Sequence, residues 1–174
     1  MQIELLEFIS KDDKEMQEEV PIELENFHCL MGNLPITEKS PLKLHLQNKD
    51  GHKLLIEATG EVTIVAECDR CLTEVPVKVS IDFSREFALE NQKIVVDELD
   101  DAVYLEGQIL DTDRLVYDEI LVNWPMKVLC RDDCKGICNK CGCNLNLQDC
   151  TCDRTVVDPR MAAIQDIFNK FKEV

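Results

Sequence analysis

The sequence lacks the segments that direct a protein into or across a membrane. No uninterrupted apolar run approaches the roughly 20 residues that a transmembrane helix needs. The first eight residues, Met-Gln-Ile-Glu-Leu-Leu-Glu-Phe, contain no basic stretch followed by an apolar stretch and a small-residue cleavage site, so they do not resemble a secretory signal. We therefore expect a cytoplasmic protein with no membrane partner.

The sequence also lacks the common catalytic motifs. It contains no Gly-rich loop of the Walker type, no zinc-protease helix motif and no Gly-x-Ser-x-Gly. No pair of carboxylates stands apart from the general excess of acidic residues. We therefore expect no enzymatic activity and no small-molecule substrate.

Positive charge is scarce, with 19 Lys and Arg against 35 Asp and Glu, which gives a formal net charge of −16. Most of the excess lies in residues 1–41 (3 basic, 10 acidic) and residues 86–121 (2 basic, 11 acidic). Such a surface repels phosphate, so extended binding to nucleic acid by the chain alone is disfavoured. A basic protein is the better electrostatic match, although acidic surfaces often serve solubility alone.

Alternating apolar residues predict strands from residue 20 to about residue 90. Leu42, Leu44 and Leu46 share one face, and Asp50-Gly51 is a strong turn signal before a return strand. The preceding residues 10–19 are almost wholly polar, which predicts a loop or a mobile segment.

A second hairpin is predicted between residues 62 and 83. Apolar residues alternate up to Cys68 and resume after Cys71, with Val75 to Phe83 holding one face over nine residues. Cys68-Asp-Arg-Cys71 therefore lies where two antiparallel strands turn back on each other.

Two helices are predicted after residue 105. Tyr117, Ile120, Leu121 and Trp124 have the spacing of an amphipathic helix, with Asp111 or Asp113 as its cap and Pro125 as its end. The last helix begins at 158–160 (Asp-Pro-Arg); its apolar face carries Met161, Ile164, Phe168 and Phe171.

The expected fold class is therefore α+β, with an antiparallel β-rich domain followed by a helix, a cysteine-rich zinc-binding module and a C-terminal helix. We place the β-rich domain with its acidic loops at residues 1–105. The helices and the cysteine-rich module occupy residues 106–174 and are expected to pack as one unit.

Seven of the ten cysteines lie within residues 130–152, where little room remains for an apolar core. In a reducing compartment clustered thiols most often hold a metal. Cys138-x-x-Cys141-Gly142 has the form of a metal-binding knuckle, and Cys150 and Cys152 can complete a tetrahedral site of four sulfurs. We expect this quartet to hold one structural zinc ion.

Four further cysteines pair naturally into a second site: Cys68, Cys71, Cys130 and Cys134. A zinc ion here would join the β-rich domain to the C-terminal module. Spacing alone is equally compatible with one metal shared in another combination, so we expect one or two zinc ions per chain.

Other interpretations of these residues were weighed. A redox-active pair is disfavoured because Cys68 and Cys71 lie in a hairpin turn, and iron–sulfur ligation is disfavoured because ferredoxin-type spacing is missing. Cys29 and Cys143 are expected to be small buried residues rather than ligands. Three histidines have no ligand-like spacing and are expected to be ordinary strand or surface residues: His28, His45 and His52.

The ordered combination of motifs resembles the bacterial YceD family, the large ribosomal RNA subunit accumulation proteins. The resemblance rests on the Cys68-Asp-Arg-Cys71-Leu hairpin, the acidic linker and the helix ending in Trp124-Pro125. It continues through Cys130-x3-Cys134-x-Gly-x-Cys138-x2-Cys141-Gly-x-Asn144-Leu-Asn146, Cys150-x-Cys152 and the Asp-Pro-Arg at 158–160.

The resemblance implies a cytoplasmic, non-enzymatic ribosome-biogenesis factor needed for accumulation of large-subunit (23S) rRNA. Its partner would be a ribosome assembly intermediate, a ribosomal protein or rRNA. It adds weight to the eight cysteines of the two quartets, whereas Cys143 departs from the family pattern. The alternative is a zinc-ribbon nucleic-acid-binding or transcription-related regulator, favoured by basic residues in the cysteine-rich region: Lys127, Arg131, Lys135, Lys140, Arg154 and Arg160.

Overall fold

Strands are the main secondary structure of the described residues, and a three-turn helix follows them. The computed structural model describes residues 1–11, 13–30, 32–96, 102–152 and 164. In chain order the elements are β1 (Gln2–Glu4), α1 (Leu6–Ile9), β2 (Glu15–Val20), β3 (Asn26–Cys29), β4 (Gly32–Lys39), β5 (Leu42–Lys49), β6 (Lys53–Glu67), β7 (Glu74–Glu90), β8 (Lys93–Val95), β9 (Leu105–Glu106), β10 (Ile109–Asp111) and α2 (Thr112–Asn123).

The β6–β7 hairpin is the centre of the molecule. Its ladder runs without interruption from the Lys53–Ala88 pair to the Glu67–Glu74 pair. The other edge of β6 pairs first with β5 and then with β4, and β2, β3 and β8 complete an antiparallel sheet of seven strands. The predicted antiparallel β-rich architecture followed by a helix is confirmed.

The predicted turn between β5 and β6 is also confirmed. Asp50 and Gly51 both have positive φ, 54° and 68°. They lie in a three-residue loop between the paired residues Lys49 and Lys53, and Gly carries no steric penalty at positive φ.

A second sheet of three strands, in the order β1–β10–β9, joins the first residues of the chain to the segment that precedes α2. β10 pairs antiparallel with β1, from Gln2–Asp111 to Glu4–Ile109. The division of the chain into residues 1–105 and 106–174 stays a prediction.

The apolar core lies between the large sheet and α2. The alternating leucines of β5 are fully buried, as are Leu54, Ile56 and Ile64 of β6. Phe27 is buried against α2, with its ring centroid 5.3 Å from that of Tyr117 and 5.4 Å from that of Trp124. This core includes buried residues of both strands of the β6–β7 hairpin, and the turn of that hairpin carries two of the cysteines.

The prediction of a loop over residues 10–19 was wrong for its second half. Residues 15–20 form β2, which pairs with β5 from Glu15–Gln47 to Val20–Leu42. The sequence there is polar because β2 lies at the edge of the sheet, where charged side chains face solvent and discourage pairing with other chains.

The buried face of α2 differs from the apolar face that the sequence predicted. The buried residues are Thr112, Leu115, Val116 and Ile120, whereas Leu121 is 48% exposed. The cap was predicted correctly, since the Asp111 carboxylate accepts hydrogen bonds from the backbone N–H groups of Asp113 and Arg114. The helix ends before Trp124, as Pro125 led us to expect.

The predicted C-terminal helix lies outside the described residues except for Ile164. That residue is helical and 57% exposed.

Candidate metal centre

The turn of the β6–β7 hairpin presents Cys68 and Cys71 on one side. The N–H of Cys68 donates to the carbonyl of Thr73 (2.9 Å), and the N–H of Leu72 donates to the carbonyl of Cys68 (2.9 Å). Leu72 adopts a positive φ of 59° to make this turn. The tight turn directs both sulfurs toward the same point.

The segment after α2 delivers two more sulfurs to this turn. The Asp69 N–H donates to the Val128 carbonyl (2.9 Å), and the Val128 N–H donates to the Asp69 carboxylate (2.8 Å). This paired contact carries the chain toward Cys130 and Cys134. Their sulfurs lie 3.5 Å from that of Cys71 and 3.9 Å from that of Cys68, respectively.

These four residues form the inner quartet: Cys68, Cys71, Cys130 and Cys134. Their sulfurs all lie within 4.8 Å of one another. Cys68, Cys71 and Cys134 are buried and Cys130 is exposed. The four residues that sequence reasoning grouped are therefore adjacent in the fold, although 66 residues separate the first from the last.

The outer quartet contains Cys138, Cys141, Cys150 and Cys152, whose sulfurs also lie within 4.8 Å of one another. The N–H of Gly142 donates to the carbonyl of Cys138 (2.8 Å), which repeats the turn that Leu72 makes with Cys68. The sulfur of Cys150 lies 3.4 Å from that of Cys138 and 3.5 Å from that of Cys141. Cys138 is buried, whereas the other three are half-buried or exposed.

The sulfur separations fit a tetrahedral metal site and not a disulfide. A metal with bonds of about 2.3 Å to four sulfurs places them about 3.8 Å apart, whereas a disulfide needs about 2.05 Å. Four pairs of sulfurs lie at 3.4–3.9 Å, and all ten cysteines are free thiols. Each quartet could hold one metal ion.

Backbone N–H groups favour the thiolate form at several positions. Burial raises the pKa of Cys68, but the N–H groups of Arg70, Cys130 and Cys71 outweigh it and bring the pKa to about 6. The N–H groups of Cys141 and Lys140 lower the pKa of Cys138, and the N–H of Cys152 lowers that of Cys150. Such N–H donors stabilise the charge that metal coordination requires.

Other thiols in the same quartets resist ionisation. Desolvation and the thiols of Cys71, Cys134 and Cys68 raise the pKa of Cys130 to about 12. The thiols of Cys150 and Cys141, followed by burial, raise the pKa of Cys152 to about 12. Several thiolates this close cannot ionise together unless a cation neutralises them, so each quartet suits a divalent metal.

The remaining cysteines are placed differently. Cys143 is half-buried beside the outer quartet, and its thiol pKa is raised to about 12, chiefly by the thiol of Cys141. Its backbone carbonyl accepts the N–H of Cys138 (2.9 Å), so its main chain shapes the knuckle. Cys29 is half-buried against the apolar core.

Within the described residues the histidines stand apart from both quartets. His45 lies on the sheet between two carboxylates, with Nδ1 2.8 Å from Glu57 and Nε2 3.0 Å from Glu15. Both contacts make it an ordinary strand residue with an ion-pair role.

Sequence reasoning missed the residues that join the two quartets. The Arg70 carbonyl accepts the N–H of Ile137 (3.0 Å), and its guanidinium donates to the Cys134 carbonyl (3.0 Å). Gly136 has a φ of 77°, and a Cβ there would lie 3.0 Å from the Arg70 carbonyl oxygen. Arg70 stands between two cysteines of a turn, and that position was the one available signal of its role.

In the described part of the chain, no helix is both long and apolar enough to cross a membrane.

Comparison with known proteins gives one family match. The model of the family described as "Large ribosomal RNA subunit accumulation protein YceD" matches residues 56–168, a span that contains both quartets. No solved structure matches the chain.

Curated relatives come from bacteria and a plant. An uncharacterized protein of Mycobacterium leprae is 30% identical over 108 residues, which cover 61% of this chain and 50% of that protein. One of Mycobacterium tuberculosis (strain H37Rv) is 28% identical over 90 residues, or 51% of this chain and 44% of that protein.

The plant relative is "Large ribosomal RNA subunit accumulation protein YCED homolog 1, chloroplastic" of Arabidopsis thaliana. It is 29% identical over 114 residues, which cover 59% of this chain and 35% of that protein. The chain thus spans half or less of the length of these curated relatives.

The family match covers well over half of the sequence and includes the cysteines that the fold brings together in two quartets. The chain belongs to the YceD family.

Proposed function

We propose that this protein is a non-enzymatic ribosome-biogenesis factor that supports accumulation of large-subunit (23S) rRNA in the cytoplasm. It acts by binding, and two zinc ions hold the shape of its binding surface. The observation that carries the proposal is the family match over residues 56–168. The name of the plant relative refers to accumulation of the large ribosomal RNA subunit by that protein.

The donor set supports zinc as the metal. Each quartet offers four sulfurs and no other ligand type, and structural zinc sites commonly use four cysteine thiolates in a closed tetrahedron. The inner quartet would hold one ion and the outer quartet the other. Bound zinc would supply cross-links between segments that share little apolar surface, so its binding energy would stabilise the fold of residues 128–152.

The same donor set argues against catalysis by these metals. A catalytic zinc keeps an open position for water or substrate, and four protein sulfurs leave none. The shape of the module, rather than a reaction at the metal, is therefore the feature that would serve function.

Charge supports a basic protein as the partner. The exposed edge strand β2 carries Glu15, Glu18 and Glu19, and the formal net charge of the chain is −16. Complementary charge accelerates association and selects partners by sign. Ribosomal proteins of the large subunit, bound in an assembly intermediate, match this surface.

Depletion and sedimentation test the proposal together. We expect loss of the protein to lower the 23S rRNA level relative to 16S rRNA, with rescue by the intact gene. We expect the tagged chain to co-sediment with large-subunit precursors in a sucrose gradient. Sedimentation as a free protein, combined with unchanged 23S rRNA after depletion, would contradict the proposal.

Direct RNA binding is the second candidate function. Lys127, Lys135 and Lys140 are exposed around the quartets, whereas Arg131 is engaged with Asp133 and Asn146. A gel-shift titration against 23S rRNA fragments at several salt concentrations separates the two candidates. Replacement of the three lysines by Gln should reduce both affinity and its salt dependence if RNA is contacted directly, and change neither otherwise.

A further inference from the structure

The loop that connects the two halves of the outer quartet, residues 143–149, contacts the inner quartet through two asparagines. The Nδ2 of Asn146 lies 3.3 Å from the sulfur of Cys134. The Nδ2 of Asn144 lies 3.3 Å from the hydroxyl of Thr73, which in turn accepts the thiol of Cys71 (3.3 Å). The loop of one quartet thus touches two ligands of the other, once directly and once through a hydroxyl.

The orientation of the Asn146 amide is fixed by its partners. Its Oδ1 accepts the backbone N–H of Lys135 (2.8 Å) and the guanidinium of Arg131 (2.7 Å), and both groups can only donate. The Nδ2 must therefore face Cys134, and its second hydrogen reaches Oδ1 of Asn144 (2.9 Å). The amide is held with an N–H aimed at a sulfur of the inner quartet.

One further contact lies within the loop, and another fastens the loop to the segment between the quartets. The N–H of Asn146 donates to Oδ1 of Asn144 (2.9 Å), which links the two asparagines. The N–H of Leu145 donates to the carbonyl of Gly136 (2.9 Å). Because the loop runs from the Cys138–Cys141 knuckle to Cys150, the position of the asparagines also depends on where these ligands are held.

We propose that Asn146, aided by Asn144, couples the two metal sites, so that each site binds its ion more tightly when the other is filled. The coupling rests on the metal binding proposed above and adds a thermodynamic link between the sites. A metal in the outer quartet orders the loop, and the ordered loop donates an N–H to the Cys134 thiolate. Such a hydrogen bond stabilises the ionised ligand, and outer-shell partners of this kind contribute about 10- to 100-fold to metal affinity. Because linkage is reciprocal, the inner metal strengthens the outer site by the same factor.

A mutant cycle on the full chain tests the coupling, with Cd²⁺ as the probe. Cadmium NMR gives one resonance per site, and the Cys150→Ser/Cys152→Ser variant assigns the inner resonance. A chelator titration followed at that resonance measures inner-site affinity in the wild type, in Asn146→Asp, in the double cysteine variant and in the triple variant. Gln148→Glu is the matched control, since Gln148 is exposed in the same loop and its side chain makes no hydrogen bond within the described residues.

We expect Asn146→Asp to lower inner-site affinity by about 10- to 100-fold, because the carboxylate removes the N–H donor and places a negative charge beside the sulfur. The double cysteine variant should lower it by a similar factor although Asn146 is intact. The inner-site affinity of the triple variant should be no lower than that of the weaker-binding of these two variants. The inner-site affinity of Gln148→Glu should match the wild type.

Three results would overturn the coupling. The first is an unchanged inner-site affinity in Asn146→Asp, and the second is an unchanged inner-site affinity in the double cysteine variant. The third is a triple variant whose loss of inner-site affinity equals the product of the two separate losses. Multiplying effects would mean that Asn146 acts on Cys134 independently of the outer site. Absence of any Cd²⁺ binding by the wild type would instead refute the metal sites themselves, and the cycle distinguishes this result from lost coupling. The proposed role in rRNA accumulation is tested separately, by depletion and sedimentation.

Discussion

Replacement of Gly136 by Ala should destabilise the contact between the hairpin turn and the cysteine-rich module. Gly136 has a φ of 77°, and an added Cβ would lie 3.0 Å from the Arg70 carbonyl oxygen. A non-glycine residue in this left-handed region costs about 1–2 kcal/mol. The carbonyl cannot move away freely, because it accepts the N–H of Ile137 at 3.0 Å, and loss of that hydrogen bond costs about 1 kcal/mol. The expected total is about 2–3 kcal/mol.

Gly142→Ala provides the matched control. Gly142 has a φ of 72° in the same module, but an added Cβ there meets nothing within 4 Å. Its cost is therefore the backbone strain alone, about 1–2 kcal/mol. The difference between the two variants isolates the contact with Arg70.

Hydrogen exchange provides the assay. The amide of Ile137 donates across this contact to Arg70, and the amide of Leu145 donates to the carbonyl of Gly136 itself. Their opening free energies therefore report the local stability around Gly136 in the metal-loaded protein. Gly136→Ala should lower both opening free energies by about 1 kcal/mol more than Gly142→Ala does. Equal effects of the two variants would refute the steric reasoning and mean that the Arg70 carbonyl yields without loss of its hydrogen bond.

Three further predictions concern protons and the helix cap. Zinc affinity should rise by about tenfold per pH unit for each proton displaced, because Cys130 and Cys152, with pKa values of about 12, are protonated at neutral pH. Chelator competition between about pH 6.5 and pH 8 measures the zinc affinity, and a pH-independent affinity would contradict the prediction. Glu57 and Glu15 raise the pKa of His45, so its ion pairs stabilise the fold below the unfolded pKa of about 6.5 and lose effect as pH rises through the folded pKa. His45→Gln should therefore lower the urea midpoint more at about pH 5.5 than at about pH 8.5, and equal losses at the two pH values would contradict the ion-pair role. Asp111→Ala should cost about 1 kcal/mol by removing the cap of α2, whereas Asp111→Asn, which keeps an acceptor, should cost less; equal urea midpoints for the two variants would count against the cap.

The two Cys-x-x-Cys pairs follow from spacing because metal knuckles are local structures. Cys68 and Cys71, like Cys138 and Cys141, are brought together by the hydrogen bond that closes a single turn, and such a turn is visible in a sequence. That Cys68 and Cys134 share one site across 66 residues was a hypothesis. The fold places their sulfurs 3.9 Å apart. Whether they bind zinc stays a prediction.

The phase of α2 and the strand β2 could not be obtained from pattern alone. Apolar residues from Leu115 to Trp124 fit more than one helical stripe, and packing on β7 selected the stripe that contains Leu115 and Val116 rather than Leu121. The polar residues 15–20 form a strand because the free edge of β5 offers backbone partners. Contacts with other strands determine both the buried face of α2 and the formation of β2, and these contacts cannot be read from the local sequence.

The contacts of Asn144 and Asn146 with the inner quartet could not be predicted from the sequence either. Asn144 and Asn146 belong to the motif that marks the family resemblance, but spacing gives an asparagine no preferred partner. Their roles become visible once Thr73 and Cys134 are placed beside them.

Metal analysis of the purified full chain tests the central claim most directly. Native mass spectrometry of protein prepared without chelators gives the metal content of each molecule, and elemental analysis gives the identity of the metal. The account predicts two zinc ions per chain, falling to one in Cys150→Ser/Cys152→Ser and to one in Cys68→Ser/Cys71→Ser. Iron, a single ion in the wild type, or metal-free protein that keeps the protected amides of residues 128–152 would contradict it.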